Sequence, residues 1–211
     1  MRRFNWISSV AALALTCSLP GATFAATTVN GDANPNRICV AEGAGRTHVC
    51  LDGAEQAWNG YPLTINGNDG NDAITVNQAG ACTCVCNGFA GDVNYAGSSI
   101  TINGGKGIDT ITGGNGTTTT HGNASGDKLG GYSSGSVDTI FGDANDDTII
   151  DLGGIHEQLY GGTGVDCVRD NNCAWDACDC GGQVGDATGT CDVNCSNCPV
   201  TGSNCTFSCP P

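Results

Sequence analysis

Apolar and polar residues alternate along this chain in short runs, and the runs recur in pairs. Leu63-Thr64-Ile65-Asn66 and Ile100-Thr101-Ile102-Asn103 place apolar side chains two residues apart, the pattern of a short strand with one buried face. A second register sits nine residues on, in the pairs Ile65/Ile74, Ile102/Ile111, Thr120/Leu129, Ile140/Ile149 and Leu159/Val168. A glycine-rich turn ending in an aspartate lies between the members of every pair. Helical spacing is not sustained outside the N-terminus. The pattern predicts an all-β chain of stacked repeats over residues 63–169, each coil holding two short strands and two turns.

The turns are more regular than the strands. Gly104-Gly105-Lys106-Gly107-Ile108-Asp109-Thr110-Ile111-Thr112 returns as Gly161-Gly162-Thr163-Gly164-Val165-Asp166-Cys167-Val168-Arg169. It returns with substitutions at 67–75, 122–130 and 142–150. Asp72, Asp109, Asp127, Asp147 and Asp166 are spaced by 37, 18, 20 and 19 residues. Asp92 is a candidate to fill the widest gap. Asp32 and Asp52 continue the spacing backwards, but their turns lack the glycine pattern. Extra length falls on the edge away from the aspartate turns, at 81–86, 117–120 and 132–136. That far edge carries Asp138, with Thr118 and His156 at equivalent places, and is expected to bind little or no calcium.

Glycine lets such a loop curl until its carbonyl oxygens converge, and the aspartate adds a charged oxygen. One loop offers about half of the six to eight oxygens that Ca²⁺ takes. The loop on the next coil, about 4.8 Å away, offers the rest. The motif resembles the RTX family, the hemolysin-type calcium-binding nonapeptide repeats. The resemblance covers residues 65 to 169, with two full copies and three degenerate ones. It implies a right-handed parallel β-roll, a solenoid with ions between its turns. Carried over residue by residue, it makes Asp72, Asp109, Asp127, Asp147 and Asp166 side-chain ligands of Ca²⁺. Carbonyls near Gly104, Lys106, Gly142, Ala144, Gly161 and Thr163 complete the shells. The chain departs from the family's toxins in its N-terminal signal and its cysteines, and a toxin role is not carried over.

Composition sharpens this picture. With 34 glycines and 6% aromatics in 211 residues, the chain cannot rely on a core of large side chains, whereas stacked coils need only thin aliphatic rows. A formal net charge of −14 disfavours nucleic acid and anionic membranes as partners and suits hard cations. Residues 1–25 read as a secretory signal: Arg2 and Arg3, an apolar stretch from Ile7 to Leu19, then Thr23-Phe24-Ala25 before a cut. The apolar stretch is too short for a membrane span, so no transmembrane segment is expected in the mature chain. Thr16 before Cys17 fits a lipoprotein site poorly. Fourteen of the 15 cysteines remain after Cys17 leaves with the signal, giving up to seven disulfides in an oxidising compartment, with connectivity open. Residues 26–62, with Cys39 and Cys50, are expected to form an N-terminal cap. Residues 170–211, with eight cysteines, are expected to form a C-terminal cap or module.

Other chemistry is weaker. His156-Glu157 begins a zinc-protease motif but lacks the second histidine. The sequence offers no set of nucleophile, base and orienting acid, so the chain is not expected to be an enzyme. Cys82, Cys84 and Cys86, and Cys178 with Cys180, suit disulfides better than thiolate metals in a secreted chain. Three sequons, at Asn115, Asn123 and Asn204, would matter only in a glycosylating host. The run Thr117–Thr120 hints at an ice-binding face, but four consecutive threonines do not make a flat array repeated from coil to coil. The expected function is extracellular calcium binding coupled to folding, in a structural or interaction role with an unidentified surface partner. The alternatives are a carbohydrate-active or carbohydrate-binding β-helix, disfavoured by aromatics (Trp58, Trp175, Tyr61, Tyr95, Tyr132, Tyr160) without common spacing, and a disulfide-held scaffold with incidental calcium.

Overall fold

The structure, a computed structural model, describes residues 27–43, 46–58, 62–76, 99–114, 117–131, 137–151, 157–170, 177–181, 187–188 and 195–196. The segment 1–25, Cys82 to Cys86, Asp92, His156, Tyr61, Tyr95, Tyr132, Trp175, Asn115, Asn204 and most of 170–211 lie outside the described residues.

The described chain is all β, with seventeen strands in two sheets and no helix. The odd-numbered strands of the first sheet are β1 (Thr27–Asn30), β5 (Leu63–Asp69), β7 (Ser99–Lys106), β9 (Thr117–Ala124), β11 (Thr139–Ala144), β13 (Gln158–Thr163), β15 (Ala177–Asp179) and β17 (Cys195–Ser196), and they pair in that order, all parallel. The second sheet runs from β16 (Ala187–Thr188) through β14 (Cys167–Asp170), β12 (Thr148–Asp151), β10 (Lys128–Gly130), β8 (Thr110–Thr112) and β6 (Ala73–Val76) to β2 (Arg37–Gly43), again parallel. It ends in β3 (Arg46–Leu51) and β4 (Ala54–Trp58), which pair antiparallel. From β5 to β16 the chain alternates between the sheets, one strand each, with an aspartate turn at each crossing from first to second as far as β14.

Alternation decides which side chains face inward. The strands of the first sheet bury every second residue, as in Leu63 and Ile65 or Ile100 and Ile102. Val29, Ile65, Ile102, Thr120, Ile140 and Leu159 form one continuous row in register. Ile38, Ile74, Ile111, Leu129, Ile149 and Val168 form its partner on the other sheet. These are the pairs set nine residues apart in the sequence, and all of them are buried.

The pairing corrects two expectations. Strands β5 and β7, and likewise β6 and β8, are hydrogen-bonded neighbours. The turn at 67–72 therefore stacks directly on the turn at 104–109, so no turn is missing between them. Gly31 to Cys39 is a further repeat, because β1 pairs with β5 and β2 with β6. Its signal was hidden by an asparagine, Asn36, at the aspartate place. Cys39 and Cys50 are directly opposite on β2 and β3, and both are buried.

Candidate functional site

The turns owe their shape to two left-handed residues. The second place of the repeat holds Asn68, Gly105, Asn123, Asp143 and Gly162, with φ of 78°, 116°, 75°, 74° and 107°. The fourth holds Gly70, Gly107, Ser125, Asn145 and Gly164, all with positive φ. Asparagine and aspartate are the non-glycine residues that enter this region most readily. The degenerate copies thus keep the backbone requirement while losing the glycine.

Each turn delivers its aspartate into the interior. Asp72, Asp109, Asp127, Asp147 and Asp166 are all 0–2% exposed. One carboxylate oxygen of each joins a ladder along the stack. Asp109 Oδ1 accepts the N–H of Asp72 at 2.8 Å, Asp127 Oδ1 that of Asp109 at 2.8 Å, Asp147 Oδ1 that of Asp127 at 2.7 Å, and Asp166 Oδ1 that of Asp147 at 2.9 Å. The ladder ends at Asn36, whose N–H donates to Asp72 Oδ1 at 2.7 Å. An amide suits that end. There the neighbours are the carboxylates of Asp32 and Asp52, and Asn36 Nδ2 donates to both, at 3.3 and 2.9 Å.

The second oxygen is different. Oδ2 of Asp72, Asp109, Asp127 and Asp147 is buried without a hydrogen-bond partner. Each lies against the first glycine of its own turn, beside the carbonyl oxygen of the first residue of the next turn. A Cβ added to Gly67, Gly104, Gly122 or Gly142 would overlap both that Oδ2 and the carbonyl of Gly104, Gly122, Gly142 or Gly161 in turn. A row of carboxylate oxygens thus faces a row of carbonyl oxygens inside the protein, with no donor between them. Two acceptors so placed repel unless a proton or a cation joins them.

The titration behaviour expresses the same conflict. Burial is the main cause that raises the carboxyl of Asp72 and lifts Asp109 to about 6, Asp127 to about 7 and Asp147 to about 8. The backbone N–H that each accepts opposes the rise, and neighbouring carboxylates add to it.

The structure distributes the sequence-derived ligands unevenly. Asp72, Asp109, Asp127, Asp147, Asp166 and the carbonyls of Gly104, Gly142 and Gly161 come together in the column; Gly122, overlooked in the sequence, joins them. The third-place carbonyls have other partners. That of Lys106 accepts the N–H of Gly70 at 2.8 Å, and that of Thr163 the N–H of Asn145 at 2.6 Å. The Ala144 carbonyl accepts Asn145 Nδ2 at 2.7 Å. Among the described residues no group of three or more His, Cys, Asp or Glu side chains forms a metal cluster. The column offers one carboxylate per turn and takes its other oxygens from backbone.

The far edge holds more acid than the sequence suggested. The pairing aligns Glu157, not His156, with Asp138, and Asp151 lies close by, near Gly131. All three acids are buried. Asp138 Oδ1 accepts both the N–H and the hydroxyl of Thr118, at 3.0 and 2.6 Å, which ties Asp138 into the structure.

One aromatic column also escaped the sequence. His121, Phe141 and Tyr160 stack on neighbouring strands, with centroids 4.6 and 4.9 Å apart and planes within 8°. The ring faces turn on one another, so the column lacks the open platform that sugar rings stack on.

No family model, curated protein or solved structure matches this chain. Among the described residues no helix is long and apolar enough to cross a membrane.

Proposed function

We propose that this is a secreted calcium-binding protein whose aspartate turns take up Ca²⁺ between stacked repeats, in a right-handed parallel β-roll with disulfide-rich ends. The observation that carries the reading is the column of buried, partnerless Oδ2 atoms facing backbone carbonyls. A hard divalent cation is drawn to that donor set, all oxygen and part carboxylate. Asp72, Asp109, Asp127, Asp147 and Asp166 would hold it, with the carbonyls of Gly104, Gly122, Gly142 and Gly161. The bound ion supplies positive charge where like charges crowd.

Its consequence is coupled folding. The carboxylates oppose the compact state, and an ion that binds only that state stabilises it by mass action. Cystines hold the ends in this proposal, and the place of Cys39 directly opposite Cys50 on neighbouring strands supports one of them. The role outside the cell is structural or interactive, not catalytic.

The test is far-UV circular dichroism of the oxidised mature protein, stripped with a chelator and titrated with Ca²⁺, with Mg²⁺ as control. A β signal that rises with calcium and not with magnesium is expected. A spectrum already β-rich and indifferent to calcium would leave the fold to the disulfides and refute the proposal.

A further inference from the structure

Successive turns are tied together outside the buried carboxylate ladder as well as within it, and the outer ties are uneven. Asn68 Nδ2 ties turn 67–72 to turn 31–36, donating to the Gly31 carbonyl at 2.7 Å. Turn 67–72 is tied to turn 104–109 twice: Lys106 Nζ meets Asp69 Oδ1 at 3.0 Å, and the Ile108 N–H donates to Asn71 Oδ1 at 2.9 Å. Between 122–127 and 142–147, His121 Nδ1 lies 3.0 Å from Asp143 Oδ2. Between 142–147 and 161–166, the Val165 N–H donates to Asp146 Oδ1 at 2.8 Å.

The step from 104–109 to 122–127 has no such tie among the described residues, and residue type explains it. Ile108 brings no acceptor for the Gly126 N–H, where Asn71 and Asp146 serve at their own steps. Ala124 stands in register with Lys106 and offers it no charge. The polar side chains on either side are committed elsewhere. Asn103 Nδ2 donates back to Asn66 Oδ1 at 2.8 Å, Asn123 Nδ2 donates to the His121 carbonyl at 3.3 Å, and His121 itself meets Asp143. Apart from the strand ladders, only the buried bond from the Asp109 N–H to Asp127 Oδ1 crosses this step.

A groove opens at the same step. It encloses about 370 Å³, and its lining includes Asn68, Asn103, Gly105, Lys106, Asn123 and Ala124, so it lies over the outer side of both turns. The side-chain oxygens of Asn68, Asn103 and Asn123 accept no hydrogen bond from another described residue, since each amide is tied through its nitrogen. Asp69 adds a carboxylate to the same groove. Oxygens of this kind attract a hard cation. The column aspartates are 0–2% exposed, so a cation reaches them only where two turns part, and local opening follows the weakest ties. We propose that the step between 104–109 and 122–127 is the gate of the column: these two turns part first, and the groove above them gathers the cation. The proposal rests on the calcium reading and adds to it the place where the ion is exchanged.

The experiment has two readouts on the oxidised, calcium-loaded chain. The first is amide hydrogen exchange. The ladder bonds of Asp72, Asp109, Asp127 and Asp147 have nearly equal lengths of 2.8, 2.8, 2.7 and 2.9 Å. The Asp109 N–H is nevertheless expected to exchange about fivefold faster than the other three, the effect of one absent hydrogen bond. The second is release of bound radioactive calcium into saturating unlabelled calcium. Ile108→Asn supplies the absent tie, by offering Oδ1 to the Gly126 N–H as Asn71 does to Ile108. Ile108 is 55% exposed, so the change disturbs no core. It is expected to slow release about fivefold. Val137→Asn, at an exposed apolar site on the far edge, is expected to release as wild type does. Equal release from wild type and Ile108→Asn, or an Asp109 N–H protected as well as the other three, would overturn the gate alone. Failure of wild type to retain radioactive calcium at equilibrium would overturn the calcium reading, and the gate with it.

Discussion

Gly142→Ala is expected to be among the most damaging single substitutions in the described chain. The added methyl overlaps the Gly161 carbonyl oxygen on one side and Asp147 Oδ2 on the other. A flexible side chain could swing away, but a carbonyl in the parallel ladder cannot move without shifting the repeat after it. Overpacking of a tight interior typically costs about 1–3 kcal/mol, and a rigid backbone neighbour puts this site near about 3 kcal/mol. The same methyl fills the space between the two oxygen rows, so the variant is expected to lose calcium response as well as stability. Gly113→Ala is the control, because its Cβ would stand 3.2 Å from the Thr118 hydroxyl and 3.4 Å from the Gly130 carbonyl. Urea unfolding of both variants in calcium checks this: a large drop in midpoint for Gly142→Ala and a small one for Gly113→Ala. Equal midpoints would mean that the oxygen column is loosely packed.

Asp147→Asn is expected to act in the opposite direction when calcium is absent. Asparagine keeps an oxygen to accept the Asp127 N–H and presents an N–H₂ where Oδ2 faced the Gly161 carbonyl. It removes a buried charge and supplies the missing donor; leaving such a group unsatisfied costs about 1–3 kcal/mol. The chain already accommodates an amide at this place in the repeat at 31–39, as Asn36. The effect must depend on pH. Asp147 has its folded pKa raised to about 8, against a value near 3.9 when unfolded. A raised folded pKa gives stability that is complete below the unfolded value and is lost as pH rises through the folded one. In chelator, wild type should therefore weaken from about pH 4 to about pH 8, with Asp109 and Asp127 contributing in the same direction. The asparagine variant should weaken less, so its advantage is expected at pH 8 and should shrink towards pH 4. In saturating calcium the order should reverse, because the variant has lost a charged ligand. Thermal melts at the two pH values, with and without calcium, measure all four cases. An asparagine variant less stable than wild type in chelator at pH 8 would show that the buried oxygen is already satisfied.

Much of this was legible in the sequence, for a physical reason. The turn demands left-handed backbone at two places and a missing Cβ at another, so glycine, asparagine and aspartate recur there whatever else changes. The aliphatic rows were legible because nine residues separate their members across every aspartate turn. Features that depend on the far edge were hidden. Insertions of unequal length there put Thr28, Thr64, Thr101, Thr119 and Thr139 at irregular sequence intervals, although they are neighbours in the sheet. The same irregularity put His156 at the place that Glu157 takes, in register with Asp138. It also made the step from Asp72 to Asp109 look like a missing turn. The repeat at 31–39 was hidden for a chemical reason, since Asn36 must donate to Asp32 and Asp52 and an aspartate there could not.

Whether a divalent cation occupies the oxygen column is decided by anomalous diffraction from crystals of the oxidised protein grown in calcium. Calcium peaks are expected along the row between the Asp127 and Asp147 carboxylates and the carbonyls of Gly142 and Gly161. Ordered turns without peaks, with each carboxyl hydrogen-bonded straight to the facing carbonyl, would show that protons settle the column and that calcium has no place in it.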